Sequence, residues 1–146
     1  MPRLSIPDDA RHMHRAQMTV RWGDMDALRH VNNTTFFQYF EQVRVDWLRI
    51  VMGRDWKTTG AGPVLAHASC DFKRPVVYPA ELVIDLYSRP PGRSSLETYY
   101  EARLTTEEAP LCALGLATVV WVDSTSGKPV PLPAAFTEVM EALDAS

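Results

Sequence analysis

One short run, Asp24-Met25-Asp26-Ala27-Leu28-Arg29-His30-Val31-Asn32-Asn33, gathers most of the side chains in this chain that could do chemistry. A carboxylate in such a run can take a proton from water or attack a carbonyl, and an imidazole can shuttle protons. If the run leads into a helix, the unpaired backbone N–H groups of the first turn and the positive end of the helix dipole can stabilise an oxyanion. Asp and Asn are favoured in turns and helix caps whether or not any chemistry occurs, so residue types alone favour the structural reading of Asp24, Asp26, Asn32 and Asn33 over the catalytic one. His30 taken by itself reads as a hydrogen-bonded structural histidine, and His67, outward on its strand, is a weaker candidate still. Glu41 and Arg44 stand three apart and read as a helix ion pair, with Glu41 the next carboxylate to consider.

Other chemistries lack their signatures. The sequence contains no GxSxG elbow, HExxH helix, GxxxxGK[ST] phosphate loop or GxGxxG turn. Cys70 and Cys112 form neither a CxxC nor a Cys/His cluster, which argues against a structural zinc site or a disulfide framework, and both read as buried small hydrophobes.

The elements around the run follow from hydrophobic spacing. Residues 1–15 hold two prolines, scattered charges and no apolar period, and are expected to be a loose tail that includes His12 and His14. From Gln17 the chain alternates, with Met18, Val20 and Trp22 on one face of a half-buried strand. Over residues 33–52 the period becomes helical: Phe36, Phe40, Val43, Trp47 and Val51 share a face that Phe37 and Leu48 widen. Asn32, Asn33 or Thr34 can cap this helix and Gly53 can end it. About 30 Å of helix with so wide an apolar stripe requires a partner surface, most economically a sheet.

Four more strands are expected. Over residues 64–72, Val64, Ala66, Ala68, Cys70 and Phe72 alternate inward; Leu82, Ile84 and Leu86 mark the next, and Leu96, Thr98, Tyr100, Ala102 and Leu104 the one after. Residues 111–122 are apolar on both faces, as for a strand covered on both sides. A short amphipathic helix over residues 134–143 ends the chain, carrying Phe136, Val139, Met140 and Leu143 inward. The order strand, long helix, four strands, short helix points to one α+β domain over residues 16–146, an antiparallel sheet curled around the long helix.

Of 146 residues, 46% are hydrophobic and 23% charged, as in a single globular domain. The formal charge of -3 speaks against a sequence-independent nucleic-acid binder. No apolar run reaches the roughly 18 residues of a membrane span and the first residues lack the apolar core of a secretory signal, so a cytoplasmic protein is expected.

The run VRWGDMDALRHVNNTTFFQYFEQVR resembles the N-terminal motif of the 4-hydroxybenzoyl-CoA thioesterase family of hotdog-fold proteins, in which a strand leads through WxDxDxxGHVNN into the central helix. DFKRPVVYPAEL, GRSSLE and GKPVPLP resemble later passages of the same family in the same order, so the resemblance covers about residues 16–140. It implies a five-stranded antiparallel hotdog sheet and hydrolysis of an acyl-CoA to a carboxylic acid and free CoA, with no metal or redox cofactor. By the family pattern Asp26 is the nucleophile or general base, and the backbone N–H near Asn33 faces the thioester oxygen. Asp24 and His30 complete the motif and shape the loop. Arg93, Ser94 and Arg89 would contact the coenzyme phosphates, with Arg74 a weaker candidate.

One departure stands out, because the glycine usual before HVNN is Arg29 here. A residue that resists positive φ implies either an altered turn or a guanidinium reaching toward substrate or partner. Family members assemble as homodimers or homotetramers with sites at the dimer interface. A non-catalytic acyl-CoA or acyl-carrier-protein binding module would keep the fold without needing Asp26. A hotdog dehydratase would need a histidine-based acid/base pair around His30.

Overall fold

The computed structural model describes residues 3–53 and 60–146, which form seven main elements. Strand β1 (Arg11–Thr19) leads through a 3-10 turn at Trp22–Asp24 into helix α1 (Asn33–Met52). Strands β2 (Ala61–Phe72), β3 (Glu81–Ser88), β4 (Ser95–Leu104) and β5 (Leu111–Asp123) follow, and helix α2 (Ala134–Asp144) ends the chain. All five strands pair antiparallel in the order β1-β3-β4-β5-β2, the antiparallel sheet that the spacing implies and the five-stranded hotdog sheet that the resemblance implies.

α1 begins and ends where its signals lie. The Asn32 side chain accepts the Thr34 backbone N–H, and Gly53, at φ 76°, donates its own N–H to the Arg49 carbonyl. Phe36, Phe40, Val43, Trp47 and Leu48 are buried among the inward residues Leu82, Ile84, Leu86, Leu96, Tyr100 and Ala102. Phe40 stacks on Tyr100 with 5.0 Å between ring centroids, and Phe136 of α2 packs against both Trp47 and Trp121. The helix keeps an exposed side at Gln38, Glu41, Gln42 and Arg49, so the sheet wraps one face of it.

Four expectations change. On α2, Leu143 is 40% exposed rather than inward, because the last turn of the helix runs past the core that Phe136 and Met140 reach. The tail is shorter than residues 1–15, because β1 starts at Arg11 and His12 pairs with Tyr87 of β3; residues 1–2 lie outside the described residues. A bulge between His12 and His14 breaks the alternation, and Arg11 and Arg15 sit on a polar outer face, which together mask the strand in the sequence. Trp22 is 74% exposed rather than inward, since the chain leaves the strand after Val20 and turns at Trp22–Asp24. β2 is not an evenly inward strand either: Val64, Leu65 and Phe72 are 48%, 49% and 46% exposed. β2 is a sheet edge, and the register shift between Leu65 and His67 re-aims its side chains. Both cysteines are free; Cys112 is buried, and Cys70 is partly so, its thiol pushed up by burial to about 12.

Candidate active site

The run from Asp24 to Asn33 joins the end of β1 to the start of α1, and its backbone is pinned at several points. Asp26 donates its N–H to the His30 carbonyl and accepts the Arg29 N–H, while Val31 donates to Val76 in the segment before β3. Asn32 donates its N–H to the Asp24 carbonyl.

Asp24 is the buried anchor. Its carboxylate accepts the Tyr39 hydroxyl at 2.6 Å, the Arg21 backbone N–H at 2.9 Å and the Arg21 guanidinium at 3.1 Å, tying the loop to the second turn of α1. Burial alone would raise its pKa, but the bonds from Tyr39 and Arg21 outweigh that and hold it below the ordinary 3.8. A lowered folded-state pKa means stability present above the unfolded value and lost as pH falls through the folded one. Asp24→Asn should therefore lower the melting temperature at neutral pH by removing about 2 kcal/mol of charge-assisted bonding, with the difference from the parent shrinking below about pH 4. Thermal melts of both proteins across pH 3 to 7 check this; an equal gap at every pH would contradict it.

Asp26 is half-buried and held by neutral donors only: Oδ1 accepts the Leu28 backbone N–H at 2.9 Å and Oδ2 accepts the Asn32 amide at 3.2 Å. The carboxylate is thus oriented, with lone pairs left to accept a proton or attack. Asn32, which also caps α1, links the carboxylate to the helix end. The backbone N–H groups of Thr34 and Thr35 are taken by the Asn32 side chain and carbonyl, whereas the Asn33 N–H has no acceptor among the described residues. That free donor at the positive end of a 20-residue helix is where an oxyanion would be stabilised.

Arg29 adopts φ 66°, so the turn keeps the left-handed geometry that a glycine would take, and the side chain is exposed without a bonded partner. The backbone penalty is about 1 kcal/mol or more, partly offset by the larger unfolded-state entropy of glycine. Arg29→Gly should stabilise the protein by about 0.5 kcal/mol and raise the melting temperature by roughly 1–2 °C. Scanning calorimetry of the two proteins reads it, and a lower melting point in the variant would contradict the strain.

A cleft of about 260 Å3 opens beside the helix end, with His30, Asn33, Phe36, Phe72 and Arg74 on its walls. Arg74 is exposed and unpaired there. The other expected coenzyme contacts are not brought to this cleft within one chain. Arg89, Arg93 and Ser94 follow the far end of β3, about 25 Å away along the strand. Arg89 is occupied by Asp9 and Glu97, whereas Arg93 is exposed and makes no ion pair, with its carbonyl accepting the Leu132 N–H. Ser94 is fixed by its carbonyl, which accepts the Trp121 N–H at 2.7 Å. The Glu41–Arg44 ion pair does not form: Glu41 is exposed and Arg44 is buried against Tyr100. Its signal was present in the sequence, because Arg44 falls between Phe40 and Leu48 at i+4 spacing, inside the apolar stripe. Among the described residues no group of three or more His, Cys, Asp or Glu is placed to hold a metal ion.

The model of the thioesterase-like superfamily matches residues 20–143. This chain belongs to that superfamily. The Bacillus subtilis protein YsmA is 34% identical over 115 residues, covering 78% of this chain and 76% of its own. Among solved structures, the PA2801 protein of Pseudomonas aeruginosa is 34% identical with a TM-score of 0.80, covering 91% of this chain and 99% of its own. A Thermus thermophilus thioesterase solved with coenzyme A and zinc is 32% identical with a TM-score of 0.75, over 90% of this chain and 94% of that one. No helix among the described residues is long and apolar enough to cross a membrane.

Proposed function

We propose that this thioesterase-superfamily chain hydrolyses acyl-CoA thioesters, with Asp26 as general base or nucleophile and the Asn33 backbone N–H as oxyanion donor. The observation that carries the reading is the pairing of an oriented carboxylate, Asp26, with the one first-turn N–H that the cap leaves free. A thioester carbonyl set in the cleft would have its oxygen toward Asn33. Asp26 would then deprotonate the attacking water, or attack the carbonyl carbon and be freed from the resulting anhydride by water; either route expels the CoA thiolate. Water and a carboxylate suffice for this chemistry, so the reading includes no metal or redox cofactor. His30, exposed on the cleft wall, borders the site without a bonded side-chain partner.

The reading also includes a homodimer, which can double to a tetramer, formed through the exposed β2 edge. β2 ends at Phe72 beside the cleft and starts at Ala61, opposite Asp123 at the end of β5. Two-fold antiparallel pairing of β2 with a second copy would lay one chain's Phe72 end against the other's Ala61 end. Arg93 of the partner subunit would then approach the cleft from across the interface and supply phosphate contacts, alongside Arg74.

Free-thiol release from short, long and aromatic acyl-CoAs tests the function. Saturable release with at least one of them is expected. Binding of every thioester without turnover would instead favour a non-catalytic acyl-CoA or acyl-carrier-protein module, and hydration of unsaturated acyl-CoAs a dehydratase.

A further inference from the structure

Along the flank of α1 that borders β2, Asn33, Phe37, Glu41 and Arg44 follow one another at helical spacing. The cleft at Asn33 is followed along this flank by a second, smaller cavity of about 120 Å3, bounded by Phe37, Phe40, Arg44, Leu65, Tyr100 and Leu116. Phe72 stands between the two, its ring 5.7 Å from that of Phe36 and 6.4 Å from that of Phe37. The smaller cavity is walled mainly by hydrocarbon and aromatic carbon; its polar side chains are the exposed Gln38 and Glu41 and, from the buried side, Arg44.

Arg44 is 8% exposed and meets only neutral groups. Its Nη1 donates to the Tyr100 hydroxyl at 3.2 Å, and its guanidinium carbon lies 5.9 Å from the Tyr100 ring centroid. The Tyr100 hydroxyl lies 2.7 Å from Thr98 Oγ1, which donates to the Ala117 carbonyl, so this chain of bonds ends on the backbone and holds no anion. Every ion pair among the described residues involves other groups, and Arg44 has no carboxylate within 4.0 Å. A guanidinium has five N–H donors. No buried side-chain nitrogen in the described residues lacks a partner, so the donors that Tyr100 leaves unused are those still reachable from outside the packed core. A cation this buried is costly unless an anion joins it. Here the space beside it is a cavity with greasy walls.

We infer that this cavity is the distal end of the acyl site and that Arg44 selects acyl groups ending in a carboxylate, the half-thioesters of dicarboxylic acids. The inference rests on the thioesterase reading for the position of the thioester and deepens it by naming the substrate class. From Asn33 to Arg44 the helix axis advances about 16 Å. Side chains lean toward the helix N-terminus, which shortens that reach. A medium-length methylene chain would therefore run past Phe36, Phe37 and Phe72 and present its far carboxylate to the guanidinium fork, which matches a carboxylate in two-point geometry.

The test uses the full-length protein and two non-hydrolysable thioether analogues of equal chain length, those of octanoyl-CoA and suberoyl-CoA, titrated by calorimetry. The suberoyl analogue is expected to bind at least about tenfold tighter to the parent protein, as for a hydrogen bond between charged groups. In Arg44→Met the ratio between the two analogues should collapse to about one. Arg44→Lys, which keeps the charge and loses the fork, should show an intermediate ratio and serves if the methionine variant fails to fold. Equal binding of the two analogues by the parent, or a preference that Arg44→Met leaves intact, would overturn the inference. So would dissociation of an oligomeric parent in Arg44→Met, since the counter-ion would then be a carboxylate of a second copy. Because thioethers are not cleaved, the binding ratio is read independently of catalysis: preference for the suberoyl analogue without hydrolysis of any thioester would defeat the thioesterase reading and leave the anion pocket standing.

Discussion

Asp26→Asn should leave a folded protein whose thioester hydrolysis has fallen by at least about 100-fold, the low end for removal of an essential acid or base. The amide keeps one oxygen that can still accept the Leu28 N–H, so the turn should survive with at most about 1 kcal/mol lost. It can neither accept the proton of water nor attack a carbonyl. Binding of coenzyme A itself should persist, since the phosphate contacts proposed for it are on residues other than Asp26. Asp24→Asn is the informative control. Its carboxylate is consumed by Tyr39 and Arg21, so it should cost stability more than turnover. Initial rates of thiol release, with circular dichroism to confirm the fold, separate the two. Near-parental turnover in Asp26→Asn would remove the mechanism and make Glu41, exposed on α1, the next carboxylate to examine.

The largest expected effect on stability comes from Gly115, on the inner side of β5. A Cβ there would lie 2.5 Å from Cε2 and 2.8 Å from Cδ2 of Phe40, a buried ring already stacked on Tyr100. Such contacts are not tolerated, and the ring has core on its other side. Gly115→Ala should therefore destabilise by about 3 kcal/mol, the upper end for overpacking. At roughly 2–4 °C per kcal/mol, the melting temperature should drop by about 6–12 °C. Phe40→Leu in the same chain should recover part of that loss, because the two changes act on one contact and are not additive. A Gly115→Ala protein that melts with the parent would mean that Phe40 does not rest on β5 as described.

The two halves of the molecule differ in how far they could be read from residues alone. α1 was legible to its ends because Asn32, the i, i+4 aromatic stripe and Gly53 all act locally. β3 and β4 were legible because Leu82, Ile84, Leu86, Leu96 and Tyr100 recur inward with period two, and β5 because it is apolar on both faces, with Cys112, Ala113 and Leu114 buried in succession. β1 and β2 were harder since both are edge strands interrupted by bulges, and a bulge shifts the alternation by one residue. In the site, the resemblance singled out Asp26 and Asn33, but not the division of labour between them and their neighbours. That depends on which N–H the Asn32 cap consumes and on Tyr39 rising from the next turns of α1 to hold Asp24. Arg89 illustrates the opposite case: its sequence position suits a phosphate contact, yet Asp9, distant in sequence, claims its guanidinium. Long-range pairings of this kind leave no local periodicity to read.

Product analysis after a single turnover shows whether the protein cleaves the thioester through Asp26. Protein in molar excess over a radiolabelled acyl-CoA, quenched and separated, should yield free carboxylic acid and free coenzyme A in equal amounts, with the parent complete while Asp26→Asn retains intact thioester. Intact acyl-CoA recovered from the parent protein across the whole panel of acyl chains, despite saturable binding, would contradict that cleavage.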